Sequence, residues 1–599
     1  MVEQPPASRL RAAVSMVRLA WSGDPRRSLI AVGLTGLQAL VASLFALWLK
    51  LMIDGVQAHR TLELVLAAVA IALSIGVGAG LDFATSRVRV ALNERVHHLV
   101  ELRLLEAVAR TPTLAIHENP AHIGQLEMLE AESWEFGDAI PSLVTVLQSV
   151  IRVIITALLL ASVTPLLLLL PLFGLPALLL SPITGDLFNR GNELSAEASR
   201  RAVDLFELAT GEAAAKEVRL FRLARPILDR FHRAHAQVRE THVGVGIRGG
   251  AIGLAADLVF ILGYLGAIVL AVARVRSGQA GVGDVALTAV LAGQVLSLIT
   301  GFVGSLQWVQ RTMRACARFV YLTDVAETDR AGVDAGLRVP ERLRRGIRLE
   351  AVSYRYPTAE EDSLRSLDVF LPAGSTVAVV GENGAGKSTL VKLLAGLYRP
   401  NAGSIRVDGL DLARLDPERW RERISAAFQD HARFEFAVRE TVGIGSLDAV
   451  GDEDAVMAAL RRAAADDVVR PLPLGLGTQL GSAWGGIDLS GGQWQKLALG
   501  RAMMRTEPLL LLLDEPTAAI DADTEHRLFA SWTDAAGELR ELTGAITLLV
   551  SHRFSTVRMA DLILVLRRGR LVEQGTHEEL MGKGGLYAEL YTLQAAAYR

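Results

Sequence analysis

The chain has 599 residues, 51% hydrophobic and only 21% charged, with a formal net charge of −3 and a mean hydropathy of +0.32. Soluble chains carry about 25% charged residues, so the balance points to a membrane protein, and the length to several domains. The charge leaves no basic footprint for a nucleic-acid partner, and Cys316, standing alone, excludes an intramolecular disulfide framework.

Almost every basic residue is Arg, a usage like that of high-GC bacteria. Residues 1–27 carry Arg9, Arg11, Arg18, Arg26 and Arg27 ahead of an apolar run too long for a signal peptide. Basic flanks of this kind place an N-terminal segment in the cytosol. Six apolar windows are long enough to cross a bilayer, near 28–52, 62–81, 141–163, 166–180, 252–272 and 285–306. Short turns join the spans on one side. On the other lie two long polar segments, 83–138 and 183–249, rich in Arg and without strand alternation. They read as helical cytosolic extensions of the spans, although Arg274 and Arg276 on the opposite side run against the charge bias. The transmembrane domain is thus expected over 28–326, and a polar linker over 327–346. From 347 to 599 short apolar strands alternate with helices, as in an α/β domain.

The strand Ser375 to Val380 leads into Gly381-Glu382-Asn383-Gly384-Ala385-Gly386-Lys387-Ser388-Thr389 and then a helical pattern. Strand, G-x4-G-K-S loop and helix are the parts of a P-loop. Its glycines let backbone N–H groups and a helix N-terminus face phosphate. Lys387 would reach the β- and γ-phosphates, and Ser388 would ligate Mg²⁺. The apolar run Leu509 to Leu513 ends in Asp514-Glu515, an acidic pair at the carboxyl end of a buried strand. Asp514 suits Mg²⁺ there, and Glu515 suits the polarisation of an attacking water.

With Leu489-Ser490-Gly491-Gly492-Gln493 upstream of that strand, the sequence resembles the ABC transporters, and its domain order resembles their exporters. The resemblance implies a six-span α-helical domain followed by an α/β P-loop ATPase domain that uses ATP and Mg²⁺. It further implies that Tyr356 stacks on adenine, with Tyr354 the weaker candidate. It makes Gln429 the Q-loop glutamine at the Mg²⁺ site, Asp521 the D-loop aspartate and His552 the γ-phosphate switch. ATP would lie between the phosphate loop of one chain and Ser490, Gly491, Gly492 and Gln493 of a second, so two chains, identical or different, are expected to pair. Thr111 to Leu129 and Gly211 to Leu223 resemble coupling loops, the second most like exporters of peptide antibiotics and lanthipeptides. Two positions depart from the family: Ser482 stands where a Glu is usual and Ala518 where a Ser is usual. The space before Ser28 leaves no room for a peptidase domain, so no leader cleavage is expected.

Within the spans, Arg152 and Asp257 are the costly residues, with Gln38, Gln148 and Gln294 as further polar candidates. Arg152 and Asp257 sit at similar depth, and the reading leaves open whether they pair or contact substrate. The expected function is ATP-driven export of an amphiphilic or peptide-like compound across a bacterial plasma membrane. Uptake by the same architecture, or a membrane-anchored sensing ATPase, are the alternatives.

Overall fold

The computed structural model describes residues 9–131, 136, 139–331, 337–516, 528, 536–551 and 553–597. The chain folds as two compact units, Glu3–Leu104 with Met128–Tyr321, and Leu105–Glu127 with Leu322–Arg599.

Helices dominate the first unit, and the chain up to residue 331 holds α1 (Arg9–Gly23), α2 (Pro25–Gln57), α3 (Thr61–Ala109), α4 (Ala115–Glu118), α5 (Pro120–Ala131), α6 (Ala139–Val163), α7 (Leu170–Phe173), α8 (Leu175–Thr210), α9 (Glu212–Leu220), α10 (Ala224–Arg276) and α11 (Val282–Ala331). Among the described residues six segments are long and apolar enough to cross a membrane, in α2, α3, α6, Pro165–Thr210, α10 and α11. With 49, 53 and 50 residues, α3, α10 and α11 are each far longer than a span needs. At 1.5 Å per residue each is about 75–80 Å long, against a hydrocarbon core of about 30 Å. Span and polar extension are therefore one continuous rod.

Local chemistry sets the ends. Asp24 is extended, accepts the Arg27 N–H at 3.1 Å and stands before Pro25, the first helical residue of α2. The same carboxylate pairs with Arg95 on α3 at 2.6 Å. Between α6 and α7, Thr164 is extended and Pro165 opens a short 3₁₀ turn, Pro165–Leu169. Helices α8 and α10 run antiparallel, with Gly191 against Val245, and Gly263 of α10 lies against the ring of Phe173 on α7. A Cβ on Gly263 would lie 2.5 Å from that ring, so only glycine permits the approach. The core of this unit is apolar, around Leu160, Leu167, Phe260, Leu287 and Leu291.

Two features were not expected. Residues 9–23 form a helix, with Val14, Val17 and Trp21 exposed on it beside Arg11 and Arg18. And α11 runs to Ala331, into the stretch expected to be linker. Side-chain bonds extend it: Asp329 accepts the N–H and hydroxyl of Thr113 at 3.0 and 2.8 Å. Arg330 donates to the carbonyls of Glu106, Ala107 and Arg110.

The second unit carries strands β1 (Gly346–Tyr354), β2 (Leu364–Pro372), β3 (Thr376–Gly381), β4 (Ala402–Val407), β5 (Leu410–Asp411), β6 (Ile424–Ala427), β7 (Leu510–Asp514), β8 (Ile546–Val550), β9 (Leu562–Arg567) and β10 (Arg570–Gly575). One sheet, in the order β2-β1-β4-β5, is antiparallel. The other has the order β10-β9-β3-β8-β7-β6 and is parallel from β9 to β6. Strands β7 and β8 are buried along their whole length, as central parallel strands are. Helix α12 (Lys387–Leu394) packs between the sheets, and Trp420, 1% exposed, donates its indole N–H to the Leu394 carbonyl at 3.0 Å. Trp420→Ala should remove about 3–5 kcal/mol of stability from this unit, measured as a lowered unfolding transition of the full chain.

Candidate functional site

Ligand sites of parallel α/β sheets lie beyond the carboxyl ends of the strands. Here β3 delivers Gly381 and the loop 382–386, β6 delivers Gln429, and β7 delivers Asp514 and Glu515. The loop closes onto α12 through Gly386, left-handed at φ 101°, where a Cβ would meet the Ser363 carbonyl at 2.6 Å. Lys387 is 6% exposed and folds back to donate to the carbonyls of Gly381 and Glu382 at 2.9 and 3.0 Å. Burial pulls its ammonium below the usual lysine range, against the opposing charges of Glu515 and Asp514. Thr389, in the first turn of α12, is buried and shares a 3.1 Å hydrogen bond with the Tyr356 hydroxyl.

Asp514 is 4% exposed. Burial pushes its carboxyl above the usual range, against a hydrogen bond from the Ser388 side chain, and the charges of Glu515 and Asp430 push the same way. Its buried Oδ1 has no hydrogen-bond partner among the described residues. An orphaned carboxylate oxygen beside a serine hydroxyl is a hard-oxygen donor pair, which fits Mg²⁺. Glu515 follows in left-handed backbone at φ 48°, a conformation costly for a residue with a side chain. Two contacts hold it: its N–H donates to the Val550 carbonyl at 3.0 Å, and Gln495 donates to the carbonyls of Glu515 and Pro516 at 3.4 and 2.9 Å.

Gln495 lies on the helix Gly491–Ala502, opened by a capping box. The Ser490 hydroxyl accepts from the Gln493 N–H at 3.3 Å, and the Gln493 side chain accepts from the Ser490 N–H at 2.8 Å. Ser490 and Gly491 are exposed and Gly492 is partly so. No hydrogen bond joins residues 490–493 to 381–389 among the described residues. Tyr354 is buried and stacked on Tyr398, with centroids 4.8 Å apart, whereas Tyr356 is half-buried and meets both rings edge-on. Tyr356 is thus the better placed of the two for a base. Gln429 is exposed; Asp521, His552 and Ala518 lie outside the described residues. The structure thus brings together Lys387, Ser388, Asp514 and Glu515, while Ser490 to Gln493 form a separate exposed helix start.

Two further contacts had no sequence signal of their own, and a third lies in the stretch Thr111 to Leu129 that resembles a coupling loop. Gln495 latches the Glu515 turn. The Glu435 carboxylate packs on Gly481, one residue before Ser482, which places an acid beside the position where Ser replaces Glu. In the second unit, α4 docks on the ATPase core: Leu114 donates its N–H to the Leu397 carbonyl at 3.2 Å, Ile116 is buried, and Glu118 accepts from the Tyr398 hydroxyl. Lys392, on α12, lies 3.9 Å from Glu118.

A family profile described as "ABC transporter transmembrane region" matches residues 28–299, and one described as "ABC transporter" matches residues 364–518. An ATP-dependent lipid A-core flippase of Bordetella pertussis is 36% identical over 331 residues, 55% of this chain and 50% of the relative. The flippase of Chromohalobacter salexigens is 38% identical over 262 residues, 44% of this chain and 43% of the relative. The matched segments thus span about half the length of these curated relatives. Among solved structures, a bacterial Atm1-family ABC exporter with ATP bound superposes with a TM-score of 0.76 and 25% identity, over 95% of this chain and 98% of that one.

Two outcomes follow from the geometry. Gln495→Ala should lower the rate of ATP turnover by about tenfold or more while leaving the KM for ATP within twofold, because it frees the Glu515 turn and not the phosphate loop. Asp514 has a raised folded pKa, so its contribution to stability is full below its unfolded pKa and is lost as pH rises through the folded one. At neutral pH the nucleotide-free Asp514→Asn protein should therefore unfold at a higher temperature than wild type, with the difference shrinking on acidification.

Proposed function

Because this chain belongs to the ABC transporter family, with its transmembrane domain fused ahead of its ABC ATPase domain, we propose that it exports an amphiphilic compound from the cytosol using ATP hydrolysis. The observation that carries this reading is the burial of Lys387 and Asp514 at the ends of β3 and β7, on the same chain as six membrane-length segments. The names of the flippase relatives favour a lipid-like amphiphile over a peptide. The N-terminus, the polar extensions and the ATPase domain lie in the cytosol of a bacterial cell, on the charge distribution of the loops.

The adenine of ATP stacks on Tyr356, and its phosphates lie on the N–H groups of the loop, where Asn383, Gly384, Gly386 and Thr389 shape the cradle. Lys387 leaves its carbonyl partners for the β- and γ-phosphates, so the buried ammonium gains the counter-charge it lacks. Ser388, Asp514 and Gln429 would hold Mg²⁺, which would supply charge neutralisation on the phosphate oxygens. Glu515 orients a water and takes its proton as the water oxygen bonds to the γ-phosphorus and the bond to the bridging oxygen of ADP breaks. On the family resemblance, His552 is assigned to the γ-phosphate switch and Asp521 to the D-loop.

A second chain completes the unit. Ser490, Gly491, Gly492 and Gln493 present an exposed helix N-terminus, suited to phosphate. At the other coupling segment Leu220 and Phe221, 75% and 63% exposed at the end of α9, suit a groove on the partner. Closure on bound ATP and release after hydrolysis then bias a two-state pair of domains.

In lipid nanodiscs, Glu515→Gln should cut steady ATPase turnover by about 10²-fold or more while leaving ATP binding intact, and Lys387→Ala should weaken binding itself. Full turnover in Glu515→Gln would overturn the assignment of the base. In inside-out vesicles, ATP should drive a fluorescent lipid-like amphiphile inward; ATP turnover with no movement of any compound would leave only a regulatory ATPase.

A further inference from the structure

At the ends of the membrane helices away from the long polar extensions, polar side chains tie α2 to the α10–α11 hairpin. Lys50 on α2 pairs with Asp284, in the first turn of α11, at 2.6 Å. One turn further along α2, Asp54 accepts the Gly283 N–H at 3.0 Å. Asp284 also accepts the Gly281 N–H at 2.9 Å, which fixes the turn between α10 and α11. The two backbones come close: a Cβ on Gly283 would lie 2.8 Å from the Lys50 carbonyl. Arg274, near the end of α10, stands where its charge acts on Asp284. That gives a reason for a cation that runs against the charge bias of the loops.

Deeper in the membrane the contact changes character. Ala46, one turn inside Lys50, is buried in one apolar cluster with Leu287 and Leu291 of α11. Apolar contacts between helices gain little over lipid, whose tails are as apolar as leucine. Such a seam parts at small cost. The ion pair resists more, because its side chains are only 26% and 14% exposed and attract through a medium less polar than water. Once water enters, both charges hydrate and the attraction falls. The seam therefore has two favourable arrangements, one dry and paired, the other wet and parted.

We propose that Lys50, Asp54 and Asp284 form a clasp that shuts the outer end of the seam between α2 and α11, and that opening to the outside must break it. The inference deepens the export reading and rests on it: it names the contact that seals the outer side while a compound is taken up from the cytosol.

The test uses the full chain in lipid nanodiscs. Cys316→Ala removes the native thiol, so that one reporter can be placed at a time. Leu287→Cys, at a position 1% exposed, reports the seam; Leu92→Cys, at a position 0% exposed on α3, reports general loosening. Labelling by a membrane-impermeant maleimide is timed without nucleotide. With the clasp intact both thiols should react slowly. Lys50→Gln and Asp284→Asn should each speed labelling at 287 about tenfold and leave 92 within twofold. Asn can still accept from Gly281, so that variant loses the charge and keeps the turn. Lys50→Arg should label as slowly as the parent, which separates a charge pair from a packing defect. Rates at 287 within twofold of the parent in both charge-removing variants, or an equal rise at 92, would overturn the clasp. ATP with Mg²⁺, added to the Glu515→Gln form with its clasp intact, should also speed labelling at 287. A rise in the clasp variants without a rise on ATP would sustain the clasp and count against ATP-driven export.

Discussion

The buried charges of the ATPase unit are the constraint on which the rest turns. An ammonium at Lys387 and a carboxylate at Asp514 are nearly removed from water at the ends of parallel strands. Burial moves both toward their neutral forms. Neither has, among the described residues, the full set of partners it needs: the lysine leans on two carbonyls, and one carboxylate oxygen is unpaired. The fold tolerates this because strands buried along their length, a packed α12 and the anchored Trp420 hold the frame rigid. Phosphate and cation relieve the two groups together. A site that is incomplete when empty converts ligand affinity into a difference between two states of the domain.

The helices set the reach of that difference. A span that ends at the membrane surface would need a loop to carry force onward, and loops are compliant. Here α3 and α11 continue unbroken far past the bilayer core, and their distal ends join the second unit. There Asp329 and Arg330 bind the backbone around Thr113 and Glu106. The same polar bonds that tie these ends down also carry α11 beyond the point where its apolar pattern stops.

What was legible in the sequence follows from what is local. A P-loop must place glycines, a lysine and a hydroxyl in consecutive positions, so residues 381–389 announce themselves, as do the strand before Asp514 and the motif Leu489 to Gln493. The six apolar windows are equally local, since the bilayer demands length and hydropathy from each alone. Gln495 was not legible, because its role depends on the turn after β7, twenty residues away. Nor was the contact of Glu118 with Tyr398, which joins positions almost three hundred residues apart. The helix at 9–23 was not legible because Arg9, Arg11 and Arg18 break its apolar residues into runs too short to span a bilayer, and the end of α11 because polar side chains rather than apolar periodicity prolong it.

The aromatic cluster carries one consequence of its own. Glu118 on α4 holds Tyr398, which stacks on Tyr354 and meets Tyr356 edge-on, and Tyr356 in turn touches Thr389. If the base rests on Tyr356, the ring that meets adenine is also bonded to the first turn of α12, at the edge of the phosphate loop. Within this unit the base and the phosphate loop then share one chain of contacts that ends at α4, so a nucleotide that fills one half of its site is felt by the residues of the other.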